Sequence, residues 1–471
     1  MKRKVWSGKD IERMGFPAGR AVAMVLDTIH RHLRKQDDEI ILAQLNAVLA
    51  SPTSFLTHEV WSRAAQELLP VERKSSAHAL RSQRMAYAIY GSQHVDESAR
   101  HQMEIAMKLP VTAGGALMAD AHQGYGLPIG GVLATHNAVI PYGVGVDIGC
   151  RMSMSVLALE EKYFQRHRTT MKQALVNHTW FGREIPDKRR EHAVLDDPAF
   201  RELPLLQTLH GKAARQIGSS GSGNHFVEFG LTDLPEGNAW KLAAGKYVTL
   251  LSHSGSRALG AEIARYYTKV AKSVCHLPHE AEQLAWLDMD TEAGQAYWLA
   301  MNLAGAYAKA NHDLIHEGLV HALGTSVLFR VENHHNFAWK EKLSDGAEVI
   351  VHRKGATPAG EGVLGIIPGS MTAPGFIVRG KGNHQSLQSA SHGAGRLLSR
   401  SAAKQTLTRK MLRQELERCD VELLGGGLDE APMAYKDIHH VMKAQHELVD
   451  IVGIFEPKIV RMCGDDTPAE D

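Results

Sequence analysis

The stretch PYGVGVDIGCRM, residues 141–152, constrains this chain more than any other. Glycines at 143, 145 and 149 alternate with valine and isoleucine, and the stretch closes on Asp147-Ile-Gly-Cys150. Glycine set among β-branched residues predicts a buried strand whose backbone comes close to another backbone or to a ligand. The carboxylate and thiol at its end are a hard and a soft metal ligand three residues apart. Taken alone, the stretch reads more simply as a buried structural cysteine beside a turn aspartate. The counterweight is the chain's 27 histidines, several of which stand in Gly/Ser/Asn-rich contexts rather than on apolar helix faces.

The 471 residues can build one large core or two to three ordinary domains. At 44% apolar and 22% charged, the composition is that of a globular protein. Lys and Arg number 53 against 52 Asp and Glu, so any nucleic-acid surface must be a local patch. Cys150, Cys275, Cys419 and Cys463 are widely spaced with no CxxC, which argues against a disulfide framework and predicts a reducing, cytoplasmic setting. The basic start is interrupted by Asp10, Glu12 and Arg13, so no signal peptide is expected. No apolar run of about 18 residues is present to span a membrane.

Residues 1–105 carry mostly helical periodicity, punctuated by Pro52, Pro70 and the Lys74-Ser-Ser cluster, and predict a helical layer packed on the core. From residue 117 the chain becomes glycine-rich with short β-type runs. Residues 160–210 read as charged and irregular, and 218–230 as a Gly/Ser loop running into a strand. Strands are expected at 247–252 and 347–352, with two more around PGSM between 364 and 379. Residues 256–323 read as largely helical, 391–396 as opening a helical region that reaches 419, and 429–437 as a turn into a last helix. The acidic tail 465–471 reads as disordered. These features predict an α+β protein in which one large domain, residues 106–464, has a central β-sheet core surrounded by helices.

Polar residues at strand ends and in glycine-rich loops are the candidates for chemistry: Asp120, His122, Asp147, Cys150, Asn224, His225, Glu228, His253, Arg257, His335, Asn336, Ser370 and His392. Any lone histidine is more often a satisfied core or surface residue, and His334, His384, His439 and His440 are read that way. His225, His253, His335 and His392 at the mouths of glycine-rich loops, together with Asp147 and Cys150, are harder to dismiss jointly. Composition alone suggests zinc, but spacing does not separate zinc from manganese. His392 lies in Ser-His-Gly-Ala-Gly-Arg, with Arg396 and Arg400 following. Small flanks admit a bulky group and arginines favour phosphate, which suits a histidine that attacks phosphorus and holds it covalently. No Walker A motif is present: neither Gly211-Lys212 nor Gly245-Lys246 has the required neighbours.

Over residues 110–463 the motifs DAHQGYGLPIGG, VGVDIGC, GNHFVEF, HSGSR, HHN, RKGA, PGSM, SHGAGR and EAPMAYKD occur in an order that resembles the RNA-splicing ligase family RtcB. The resemblance implies two Mn²⁺ ions, one on Asp147, Cys150 and His225 and the other on Cys150, His253 and His335, with the thiolate bridging. It makes His392 the nucleophile that GTP guanylylates and Asp120 an acidic residue needed for activity. Asn224, Glu228, Asn336, Ser370 and Tyr435 would hold the guanylate, Tyr435 by stacking, and Arg257 would touch phosphate. The implied partner is RNA with a 3′-phosphate or 2′,3′-cyclic phosphate and a 5′-hydroxyl end, with neither DNA nor membrane expected. Three departures fall on the nucleotide side: Thr372 after PGSM where the family usually has Gly, Pro358 after RKGAT where it has Arg, and Cys463-Gly464 where it has Lys-Gly. They point to a divergent paralogue. They also keep two rivals open: a metal-dependent RNA phosphoesterase without ligation, and a non-catalytic RNA-end binder.

Overall fold

A computed structural model describes residues 6–17, 20–33, 36–68, 78–184 and 190–464; the expected acidic tail and the Pro70 and Lys74 region lie outside the described residues. The chain divides into two compact units, residues 1–76 and 77–471. The first unit is helical, with Gly8–Arg13, Arg20–His32, Asp38–Ala50 and Ser62–Leu68 packed around Ile11, Val25, Leu45, Val48 and Trp61. Its first helix opens on a reciprocal cap, in which Asp10 N–H donates to the Ser7 hydroxyl and Ser7 N–H donates to the Asp10 carboxylate.

The second unit is built on two sheets. The five-stranded one runs Ala88–Ile89, Thr112–His122, Ile129–Thr135, Glu348–Lys354, Asn336–Lys342. The eight-stranded one runs Leu364–Ile367, Gly375–Gly380, Val449–Met462, Phe226–Leu234, Gly245–Ser254, Arg151–Glu160, Val327–His334, with Glu422–Leu424 pairing beside Val449–Met462. The helices Arg257–Val274 and Glu292–Ala322 carry many buried small residues, among them Ala261, Ala264, Ala300, Ala304 and Gly305. This is the predicted mixed α and β architecture around a sheet core.

Three sequence expectations are corrected. The stretch 141–152 is not a strand: Pro141–Val144 is a helical turn, a loop follows, and the strand starts at Arg151. The cause is backbone conformation. Gly145 has φ +106° and Gly149 has φ +74°, left-handed values that break a ladder. The predicted close approach is nonetheless present, because a Cβ on Gly149 would lie 2.7 Å from Gly305 Cα. The region 160–210 is not irregular either; it contains the helices Glu161–His178 and Pro204–Gln216. Phe164, Met171, Ala174 and Leu175 form its buried stripe, which the charges on the outer face obscure in the sequence. The region 391–419 is helical only from Arg400, as Arg400–Thr406 and Arg409–Arg418.

Candidate metal centre and nucleotide pocket

The candidate metal ligands come from the ends of neighbouring strands. Strand Gly245–Ser254 delivers His253, the turn after strand Val327–His334 delivers His335, and the loop before strand Phe226–Leu234 delivers His225. Strand Arg151–Glu160 lies between two of these in register, Met152 opposite His253 and Arg151 opposite His334, so the preceding Cys150 falls among the rings. Its Sγ lies 3.3 Å from His225 Nε2 and 3.1 Å from His253 Nε2. His253 Nε2 lies 3.2 Å from His335 Nε2, and Asp147 Oδ2 lies 3.0 Å from His225 Nε2. Two buried triads result, Asp147–Cys150–His225 and Cys150–His253–His335, each with its ligand atoms within 4.8 Å of one another and with the thiol common to both.

Whether these residues fit cations can be judged from their protons. His253 Nδ1–H donates to the Asn224 carbonyl at 3.1 Å, so Nε2 carries only a lone pair. Burial pushes the His253 ring down to about 3 and His335 well below its ordinary value, which keeps both rings neutral. Burial raises Asp147, but the His225 bond and charge, the Cys150 bond and the Ser256 amide together prevail and lower it. Imidazole nitrogens, a thiol sulfur and a carboxylate thus converge at 3.0–3.3 Å, and divalent cations fit that donor set by replacing the protons the groups share without them. The Ser256 amide and hydroxyl hold Asp147 Oδ1 at 3.0 and 3.2 Å. The glycine of His-Ser-Gly-Ser-Arg is required there, since a Cβ on Gly255 would overlap the Asp147 carboxylate.

His392 stands beside this centre, its ring centroid 4.9 Å from that of His335. Its Nδ1–H donates to Asp120 Oδ2 at 2.7 Å, and the amides of His392 and Gly393 donate to the same oxygen at 3.0 and 3.2 Å. Asp120 is fully buried. Burial raises its pKa, but the His392 bond, the His392 charge and Lys436 prevail and lower it. A carboxylate that fixes Nδ1–H leaves Nε2 free as a nucleophile, the logic by which an orienting carboxylate serves a catalytic imidazole.

Both groups open into one cavity of about 640 Å³. Asp147, Cys150, Asn224, His225, Glu228, His253, His335, Asn336, Ser370, His392 and Tyr435 all line it. Burial raises Glu228 well above the ordinary carboxyl range, so it presents a neutral acid able to donate as well as accept. Asn336 is committed locally: Nδ2 donates to the Asp147 carbonyl at 3.3 Å and Oδ1 accepts from Gly355 N–H at 2.9 Å. The Tyr435 hydroxyl bonds Glu430, and the Arg396 guanidinium sits 5.2 Å from its ring centroid. Arg257 is not in the lining; it is buried, with its guanidinium on the Gly182 carbonyl and the Ser219 hydroxyl, and ties two loops together. His122 lines the cavity, its Nδ1–H donating to the Asp120 carbonyl at 3.1 Å. His334, His384, His439 and His440 do not; His334 packs on Phe337 and Trp339 instead.

Sequence reasoning gave no role to Lys354, Glu430 or Lys436. Lys354 is buried in the lining, donates to the Tyr125 and Tyr142 carbonyls, and is lowered by burial to about 7. Glu430 gathers Arg396, Arg400 and Tyr435, and Lys436 donates to the Ala121 carbonyl at 2.6 Å. All three lie inside or directly beside the motifs RKGA and EAPMAYKD, but a buried lysine or an internal ion pair leaves no periodicity to read.

The family profile described as tRNA-splicing ligase RtcB matches residues 102–203 and 196–462. The chain belongs to the RtcB family. It is 34% identical over 388 residues to the RNA-splicing ligase RtcB of Escherichia coli K12, covering 76% of this chain and 92% of that one. It is 29% identical over 422 residues to the tRNA-splicing ligase RtcB of Thermococcus kodakarensis, covering 75% and 88%, and 30% identical over 401 residues to the RNA-splicing ligase RtcB of Mycobacterium tuberculosis, covering 70% and 92%. As an RtcB protein it is an RNA ligase, and no helix among its described residues is long and apolar enough to cross a membrane.

Proposed function

We propose that this chain is a GTP- and manganese-dependent ligase that joins an RNA 3′-phosphate, or a 2′,3′-cyclic phosphate after opening, to a 5′-hydroxyl through a guanylylated His392, in RNA splicing or repair. One observation carries the reading: the Cys150 thiol is common to two ligand triads, and the His392 ring lies 4.9 Å from one of their members. When bound by those triads, the two cations supply charge neutralisation to the attacking and leaving oxygens. The choice of manganese rests on the family resemblance, and the mixed nitrogen, sulfur and oxygen donor set accepts it.

Asp120 holds Nδ1–H, and His392 Nε2 attacks the α-phosphorus of GTP; the N–P bond forms as pyrophosphate leaves. An oxygen of the RNA 3′-phosphate then takes the guanylate, which frees Nε2. Attack by the 5′-hydroxyl expels GMP and leaves a phosphodiester. Neutral Glu228, Asn224 and Ser370 line the wall that would hold the guanylate, and the Tyr435 ring offers the stacking face. Arg396 and Arg400, held on Glu430 and Asp429, line the same cavity and would meet the incoming phosphates. Four free thiols, one of them a metal ligand, support a reducing, cytoplasmic setting.

The test is mass spectrometry of protein incubated with Mn²⁺ and GTP. The expected result is one guanylate mapped to His392, absent in His392→Ala. Opening of a cyclic phosphate with no adduct and no joining would move the assignment to a phosphoesterase.

A further inference from the structure

The chain carries almost no net charge, yet residues 400–414 contain Arg400, Lys404, Arg409, Lys410 and Arg413 and not one acidic residue. The structure turns that run into a surface. Helices Arg400–Thr406 and Arg409–Arg418 bury Ala403, Leu407 and Leu412 in a cluster shared with Met371, Met462 and Tyr435. Those last three also line the catalytic cavity, so the inner faces of both helices are fixed to its wall. Their outer faces bear Lys404, Lys410 and Arg413, all exposed. Lys404 reaches Asp429 only at 3.7 Å while staying 54% exposed, and Lys410 and Arg413 form no ion pair among the described residues. Met411, 41% exposed, adds an apolar surface on the same element. The track is continuous with the site, because Leu398, Ser399 and Arg400 line the cavity and lead directly into the first helix.

We propose that this basic helix pair is a docking track for the phosphate backbone of the RNA strand whose end enters the cavity. The inference rests on RNA as the substrate class, but not on guanylylation. Phosphate contacts of this kind position a strand without reading its sequence, and they make affinity depend on salt. A strand too short to leave the cavity would not feel them.

The test uses the full-length protein with Mn²⁺ and without GTP, so that nothing turns over. Binding of a labelled single-stranded RNA of about 20 nucleotides ending in a 3′-phosphate is measured by fluorescence anisotropy across salt concentrations, for the wild type and for Lys404→Gln/Lys410→Gln/Arg413→Gln. The expected result is a Kd raised roughly tenfold at about 0.1 M salt and a salt slope smaller by about 2, since each single-strand phosphate that a cation neutralises adds about 0.7 to the slope. A trinucleotide 3′-phosphate should bind both proteins alike. Unchanged adduct yield with GTP, and an unchanged melting curve, would show the variant to be folded. Charge restored by Lys404→Arg/Lys410→Arg/Arg413→Lys should return wild-type binding. Wild-type Kd and slope for the long RNA in the glutamine variant would overturn the track, whatever the adduct assay says. An absent adduct with the binding defect intact would overturn only the guanylylation reading.

Discussion

Strand Gly245–Ser254 separates two clusters of buried histidines, and they are built differently. On one face, His253 meets His225, His335 and Cys150, with nitrogens and sulfur 3.1–3.3 Å apart. On the other face, Ser252 meets two histidines of helix Glu292–Ala322. His312 Nδ1 lies 2.6 Å and His316 Nε2 2.7 Å from the Ser252 hydroxyl; His312 Nε2 donates to the Ser254 carbonyl at 3.1 Å, and His316 Nδ1 lies 2.8 Å from the Ser155 hydroxyl. Burial keeps the rings of His253, His335, His312 and His316 neutral. In the second cluster every ring nitrogen has a hydroxyl or carbonyl partner, so it is complete without any further component. In the first, His335 Nδ1 has no hydrogen-bond partner among the described residues while the Nε2 atoms crowd a sulfur and a carboxylate, an arrangement that a cation satisfies better than shared protons do. Burial of histidine is therefore no mark of a metal site; the mark is a thiolate and a carboxylate in place of serine hydroxyls.

The contrast breaks most visibly at Cys150. Cys150→Ser should remove bound metal and lower ligation by about 10³-fold or more, while the melting temperature of the metal-free protein changes by only a few degrees. Metal content by elemental analysis, read beside thermal unfolding, decides it. A large loss of stability with metal retained would make the thiol a packing residue. Next in size is Asp120→Asn, which replaces the acceptor that fixes His392 Nδ1–H. Adduct formation should slow by roughly 10²–10⁴-fold at full metal occupancy. An adduct rate near wild type would leave Asp120 a purely structural residue.

The opposite face should answer in stability alone. Ser252→Ala deprives His312 and His316 of a shared partner and should cost about 1–3 kcal/mol, with metal stoichiometry unchanged. Loss of metal in that variant would show that the two faces are one coupled unit. Acid should act on the same kind of group. His352, held between Ile140 N–H and the Leu133 carbonyl, is lowered by burial to about 4. Its unfolded form titrates near 6.5, so between about 6.5 and 4 the unfolded state binds the proton and the folded state does not. Its contribution is complete above about pH 6.5 and is lost as pH falls toward 4, at up to about 1.4 kcal/mol per pH unit. His312 and His316 are shifted in the same direction and steepen the loss. Unfolding of metal-free protein in urea at pH 7 and pH 5 measures it, and equal stabilities would contradict neutral burial.

The convergence of Asp147, Cys150, His225, His253 and His335 was legible in the sequence because these residues sit where strands end in glycine-rich loops, and strand ends are written in short runs that can be read. The predicted close approach at Gly149 was also legible, but not its conformation: alternating glycine and valine look like a strand until two left-handed glycines turn the chain. The helix Glu161–His178 was hidden because seven charged or histidine side chains dilute a stripe of four buried apolar ones. Lys354 and Glu430 were not legible at all. Their roles come from carbonyls and guanidinium groups contributed by distant segments, a long-range pairing that local pattern does not encode.

The smallest effect is expected at Thr372, the departure flanked on both sides by cavity-lining residues, Met371 and Ala373. Its hydroxyl donates to Glu415 Oε1 at 3.5 Å, a long bond to the helix Arg409–Arg418. Arg418 holds the same carboxylate more closely, at 2.7 and 2.9 Å, and lowers its pKa. Glu415 therefore stays partnered when the threonine is removed. Thr372→Gly, which installs the residue usual in the family, should change stability by less than about 0.5 kcal/mol. The KM for GTP should move less than about threefold, which is under about 0.7 kcal/mol of binding. A larger shift, with RNA affinity constant, would mean that the loop after PGSM sets nucleotide choice. A shift in RNA affinity instead would place the threonine's influence on the basic helix it touches, and would tie the nucleotide wall to the docking track through a single side chain.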